Sequence, residues 1–129
     1  LKAPTPTDVR AFAREAEALG RLQHPNVVTY HGHCRDEGAP SGAFGLVFEF
    51  CDYTLASISV QVSANLARLL AQAATALAFM HARGYIHRDV KPLNVLVSKP
   101  PGRSDGAWRG AEAKVADFGH AKHSERLGL

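Results

Sequence analysis

The sequence predicts an α+β domain, and three observations carry that expectation. Two long stretches repeat apolar residues at helical spacing. The β-branched and aromatic runs around them are short and joined by turn-rich loops, which suits antiparallel pairing. The 129 residues are 46% hydrophobic and 21% charged, the balance of one globular domain. That composition excludes global disorder. With only Cys34 and Cys51 present, it also excludes a disulfide-built scaffold. No apolar run approaches the roughly 20 residues that cross a bilayer. The first residues, LKAPTPTDVR, hold no signal-peptide core. Fifteen Lys and Arg against twelve Asp and Glu give a net charge of +3. The basic residues are scattered among acids, so no nucleic-acid footprint is expected. Reduced cysteines and the missing export signal favour a cytoplasmic location.

The first predicted helix covers residues 7–22, capped by Thr7 or Asp8 after Pro6. Phe12, Ala16 and Leu19 form its apolar face, and His24-Pro25-Asn26 ends it. Val27 to Tyr30 reads as a short strand. Residues 35–43 form a polar loop, and residues 44–50 (FGLVFEF) form a second, nearly all-apolar strand, as expected when both faces are covered. A less regular segment occupies 52–62. The strongest helix follows, with Ser63 as cap and an apolar stripe of Leu66, Leu69, Leu70, Ala73, Leu77 and Met80. Gly84 stops it. Tyr85-Ile86 is extended, residues 87–94 are a loop, and Val95 to Val97 is a strand. Residues 98–112 make a Pro/Gly-rich loop of about fifteen residues, where hairpin loops commonly take about 2–5. A strand over 113–116 follows, then a tail without periodicity.

Two clusters carry chemistry: His87-Arg88-Asp89-Val90-Lys91-Pro92-Leu93-Asn94, and Asp117-Phe118-Gly119. Charged groups beside apolar strands are costly unless they serve a purpose, and loops are where functional groups are displayed. His31-Gly32-His33-Cys34 has metal-binding residue types, but the spacing is wrong for a structural zinc site. Cys51 reads as an inert thiol, and Ser124 as a solvated tail residue.

The two clusters resemble the protein kinase family. The pattern H-R-D-x-K-x-x-N matches HRDVKPLN without a gap, and D-F-G follows in the right order. Eight specified positions match, a coincidence of roughly 1 in 10⁹ or less at typical residue usage. The segments FAREAEALGRLQHPNVV, LVFEFC and LARLLAQAATALAFMHARGYIHRD are also similar to the family's text, so the resemblance covers about residues 7–122. It implies part of a two-lobed fold, running from the helix the family calls αC through the D-F-G segment. Residues 1–50 would belong to the smaller lobe and 51–129 to the start of the larger.

The resemblance also implies roles. Asp89 would accept the proton of a protein hydroxyl, and Lys91 would sit near the transferring phosphoryl group. Asn94 and Asp117 would hold Mg²⁺, which prefers hard oxygen ligands. Arg88 would offer its guanidinium to a phosphorylated residue. Glu15, followed four residues later by apolar Leu19, is preferred over Glu17 as the glutamate that pairs with the family's strand-borne lysine. Leu19, Tyr30, His87 and Phe118 would stack into a column between the lobes. Phe48 would gate the back of the adenine pocket, Glu49 and Cys51 would bracket the segment meeting adenine, and Leu96 would pack on the ring. The cofactors implied are ATP and Mg²⁺, and the partner is a protein substrate. The KPLN wording resembles serine/threonine kinases. A pseudokinase or kinase-like binding module is the alternative.

The match has departures. No glycine-rich G-x-G-x-x-G loop occurs; the nearest glycine cluster is at 38–45. Lys2, 13 residues before Glu15, reads as lying just beyond the lysine-bearing strand. The A-P-E element is absent. The chain therefore reads as a partial domain, expected to show no ATP-dependent phosphorylation by itself. The long 98–112 loop carries Trp108, Lys99, Arg103 and Arg109 and is a candidate docking site for a partner. His120 stands where many relatives carry an apolar residue.

Overall fold

The computed structural model describes residues 6–35, 44–58, 63–99, 108 and 110–127. Lys2, the glycines of 38–43 and most of the long loop (100–107 and 109) lie outside the described residues, as do the side chains of Thr7, Asp8 and Ser63.

Helix α1 spans Pro6–Arg21. It starts at the proline, whose fixed φ and missing N–H suit a first helical turn, so Thr7 and Asp8 lie inside the helix rather than capping it. Ala18, Leu19 and Leu22 bury its inner face. Strands β1 (Tyr30–Arg35) and β2 (Phe44–Phe48) form an antiparallel ribbon. Its register is irregular between Tyr30 and Gly32, and Gly32 takes φ 142°, a conformation open mainly to glycine.

The expected strand over 27–30 is displaced. Val27 and Val28 are buried and run beside Val115 instead: Val28 N–H donates to Val115 O at 2.9 Å, and Val115 N–H donates to Asn26 O at 2.8 Å. Their β-branched character serves this parallel bridge rather than the hairpin. The second strand also differs from expectation. It ends at Phe48, and Val47 and Phe48 are exposed, so the ribbon is not covered on both faces among the described residues.

Strands β3 (Tyr53–Thr54), β5 (Val95–Ser98) and β6 (Glu112–Val115) form an antiparallel sheet in the order β3-β5-β6. Helix α2 (Ser63–Ala82) packs on β6. Its buried stripe is Leu69, Ala73, Ala76 and Met80, whereas Leu66 and Leu70, expected in the core, are exposed. Gly84 (φ 74°) turns the chain into β4 (Tyr85–Ile86). The tail is more ordered than its aperiodic sequence suggests. Strand β7 (Lys122–His123) pairs with β4, and Ser124 N–H donates to Gly84 O.

The long loop is anchored at both ends. Arg68 of α2 donates to Ala111 O (2.7 Å) and Trp108 O (3.1 Å). The Trp108 ring meets Tyr53 edge-on at 5.1 Å, and the Lys99 ammonium lies 4.5 Å from the Trp108 ring centre. Trp108 is thus occupied within the chain. No described helix is long and apolar enough to cross a membrane.

Candidate active site

The 87–94 loop leaves β4 and enters β5 through a short turn, Pro92–Asn94. Its first residue, His87, is 1% exposed. The ring Nε2 lies 2.8 Å from Ala116 O, and Nδ1 lies 3.3 Å from Asp89 N. A neutral imidazole protonated on Nε2 satisfies both contacts, donating to the carbonyl and accepting from the amide. The ring also meets Phe118 edge-on at 5.2 Å. One buried side chain therefore ties the Asp89 loop to the segment carrying Asp117. Leu19 and Phe118 are buried with His87, while Tyr30 is only half-buried and tilts against Phe48 at 6.0 Å.

Asp89, Lys91 and Asn94 form one hydrogen-bonded group. Asp89 Oδ2 accepts from Lys91 Nζ at 2.7 Å and from Asn94 Nδ2 at 2.9 Å. The same Asn94 nitrogen donates to Asp89 O at 2.9 Å. Lys91's hydrogen bond holds the Asp89 carboxyl below the usual carboxylate range. Desolvation works the other way, and Asn94 with the charges of Lys91 and His120 adds to the lowering. His120 Nδ1 stands 4.0 Å from Asp89 Oδ2. Asn94 is buried, and its nitrogen is committed to Asp89.

Two residues here adopt positive φ without being glycine, Arg88 (68°) and Asp117 (61°). Side chains rarely tolerate this region. Arg88 is held there by Nε donating to His120 O at 2.6 Å. Asp117 is exposed.

Glu15 faces this segment from α1. It accepts a hydrogen bond from the Phe118 backbone, and its Oε2 lies 3.8 Å from where a Cβ on Gly119 would stand. Burial raises the Glu15 pKa above the ordinary value, and the Asp117 charge adds to this, against the lowering by the Phe118 bond. Glu17 instead pairs with Arg21 at 3.1 Å on the exposed side. Glu15, not Glu17, is therefore the helix carboxylate beside Asp117.

At the other end, Glu49 reaches Lys114 of β6, the residue paired with Leu96 of β5 in the sheet register, and the Glu49 and Lys114 charges both act on Cys51. Phe48 ends β2. Burial pushes the half-buried Cys51 thiol up, and the Glu49 charge pushes the same way, so the thiolate is disfavoured at neutral pH. Leu96 is half-buried between Thr54 and Lys114 in the sheet register. Sequence reasoning missed Lys114, which pairs with Glu49 at 3.0 Å. The available signal was a lone lysine inside the apolar stretch Ala113–Ala116. His31, His33 and Cys34 are exposed, and no cluster of His, Cys, Asp or Glu suited to a metal occurs among the described residues.

Between α1 and residues 118–125 lies a cleft of about 540 Å³. Arg14, Arg21, Arg88, Lys122 and His123 line it, with Glu17 and Glu125. Its cations outnumber its carboxylates, which suits an anion.

A sequence model described as "Protein kinase domain" matches residues 2–128. The chain belongs to the protein kinase family. It is 35% identical over 119 residues to the human serine/threonine-protein kinase ULK1, a match covering 87% of this chain and 11% of that protein. It is 32% identical over 127 residues to the serine/threonine-protein kinase PknJ of Mycobacterium tuberculosis, covering 95% and 20%. It is 32% identical over 118 residues to human cyclin-dependent kinase 9, covering 84% and 29%. This kinase chain thus spans between about a tenth and a third of the length of these relatives. The family generally uses ATP and Mg²⁺. The donor set fits the metal, since the Asp117 carboxylate and Asn94 Oδ1 are hard oxygen ligands.

Proposed function

We propose that the protein carrying this chain transfers the γ-phosphoryl group of ATP to a serine or threonine hydroxyl of a protein substrate. The observation that carries the reading is the clamped Asp89–Lys91–Asn94 group, tied through His87 to the segment bearing Asp117. Residues to about 50 contribute the smaller lobe, and residues from 51 the larger. Phosphoryl transfer depends mainly on positioning and charge neutralisation. The acceptor oxygen bonds to the γ-phosphorus, the bond to the β-phosphate bridging oxygen breaks, and ADP leaves. Asp89, kept ionised by its lowered pKa, takes the hydroxyl proton on its carboxylate, whose Oδ2 already accepts from Lys91 and Asn94.

Lys91, 2.7 Å from that oxygen, places positive charge beside the transferred group. Asn94 and Asp117 would hold the Mg²⁺, which would supply charge neutralisation at the phosphates. Phe48, Glu49, Cys51 and Leu96 border the adenine end. Glu15, destabilised as a carboxylate by burial beside Asp117, is suited to receive a lysine ammonium. The cationic cleft around Arg88 receives a phosphorylated residue. The anchored base of the 98–112 loop supports its use as a docking element for a partner. The two free cysteines fit a reducing compartment, and the cytoplasm is the location we propose.

The test is phosphate transfer from labelled Mg-ATP to serine- and threonine-containing peptides by the full-length protein. Transfer that is abolished by Asp89→Asn supports the reading. Nucleotide binding without transfer would instead make the protein a kinase-like regulatory module.

A further inference from the structure

Lys114 lies in an apolar strand: Ala113, Val115 and Ala116 around it are all buried. Lys114 itself is only 9% exposed. An ammonium in such a place is costly unless it is paired and hydrogen-bonded. Its Nζ donates to Pro25 O at 3.0 Å and lies 3.0 Å from Glu49 Oε1. The two partners come from different edges of the site. Pro25 sits in the turn that ends α1, the helix carrying Glu15. Glu49 follows β2, at the adenine end.

Both partners are themselves fixed. Glu49 Oε1 accepts from Thr29 N–H at 2.6 Å, and Glu49 N–H donates to Thr29 O at 2.9 Å. Burial pushes the Glu49 carboxyl up, but the bonds from Thr29 and the Lys114 ammonium outweigh it and leave the group ionised. The α1 turn is stitched to β6 by Asn26 Nδ2 donating to Ala113 O at 2.9 Å. Lys114 is therefore the point where the α1 turn, the Phe48–Cys51 segment and the strand leading to Asp117 meet.

We propose that Lys114 is a positioning residue for the nucleotide: its ammonium holds the Phe48–Cys51 segment in register with the strand that carries Asp117. The two segments border opposite ends of the nucleotide site, adenine and metal-phosphate, so their relative placement sets how well one ligand spans both. This rests on the nucleotide-binding reading above.

The test uses the full-length protein, titrated with Mg-ATP by calorimetry, alongside thermal melting. Lys114→Met keeps the apolar stem and removes the ammonium. It is expected to weaken Mg-ATP binding about 10-fold, the scale of a contact-pair coupling. Because this variant leaves the Glu49 carboxylate unpaired, it also lowers the melting temperature. The double variant Lys114→Met/Glu49→Gln removes the orphan charge while the amide oxygen still accepts from Thr29 N–H. Its melting temperature is expected to recover while its Mg-ATP affinity stays weak. Affinity that recovers together with melting temperature would reduce Lys114 to a stabilising residue and overturn the proposal. An unchanged Kd in Lys114→Met overturns it too. Absence of Mg-ATP binding by the unmutated protein would overturn the nucleotide-site reading and this proposal together, and is distinguished by that first titration.

Discussion

Replacing His87 with phenylalanine isolates the two ring nitrogens that join the Asp89 loop to the Asp117 segment. The aromatic contact with Phe118, at 5.2 Å between ring centres, is kept in kind. The 2.8 Å bond to Ala116 O is lost, leaving a carbonyl of a buried residue without that donor. An orphaned buried acceptor costs about 1–3 kcal/mol. The Asp89 amide loses its 3.3 Å partner, a longer bond in a loop that water can reach, for about 0.5 kcal/mol. Together the loss is roughly 1.5–3.5 kcal/mol. At about 2–4 °C per kcal/mol, the melting temperature falls by roughly 3–14 °C. Transfer falls further than stability alone explains, because Asp89 is no longer fixed against Asp117. Displacements of about 1 Å cost on the order of 10²-fold in rate. The assays are thermal melting and peptide phosphorylation well below the melting temperature. A melting temperature within about 1 °C of the unmutated protein, with undiminished transfer, would refute the argument that His87 organises the site.

Three more outcomes are expected. Lys91→Ala releases the Asp89 carboxyl toward its ordinary pKa. Asp89 has its pKa lowered by folding, so its stabilisation is present above the unfolded value near 3.8 and lost as pH falls through the folded value. In the variant the acid limb of the rate–pH profile moves to higher pH, and an unmoved limb in a still-active variant counts against the pairing. Leu69→Ala empties a site that is 0% exposed and is expected to cost about 2–5 kcal/mol in chemical denaturation, whereas Leu70→Ala, on the exposed side, costs little. Arg68→Ala frees the carbonyls of Trp108 and Ala111, and Trp108 is the chain's single tryptophan. Its fluorescence emission is expected to shift to longer wavelength as the ring leaves Tyr53; unchanged emission would show that the loop is held by other contacts.

What was legible in the sequence follows from the range of the forces involved. The two helices were readable because helical periodicity and the stop at Gly84 are local. The 87–94 and 117–119 clusters were readable because the chemistry demands particular residue types at fixed spacing. The position of β1 was not, since Val27 and Val28 take their burial from Val115, far along the chain. A β-branched run reports a buried extended backbone and not its partner. Leu66 and Leu70 carried the right period but flank the buried stripe and stay exposed, and periodicity alone does not say how wide a face the sheet covers. A lysine in an apolar stretch was a visible signal, but what Lys114 joins was not, since Pro25 and Glu49 are brought to it only by the fold.

The positive-φ residues show how these levels combine. Such a conformation costs a non-glycine residue roughly 1–2 kcal/mol, and Arg88 and Asp117 both adopt it. Each flanks a bond that would be lost if the strain relaxed. Arg88 precedes Asp89, whose amide rests on His87; Asp117 follows Ala116, whose carbonyl receives His87 Nε2. One imidazole thus sits between two strained turns and is bonded to both. Relaxing either turn would re-aim the carboxylate next to it, Asp89 in one case and Asp117 in the other. The strain persists because the surrounding bonds over-determine it. The buried histidine between the two turns thus bears on the placement of both acids, beside the Lys91 and Asn94 bonds that hold the Asp89 carboxylate.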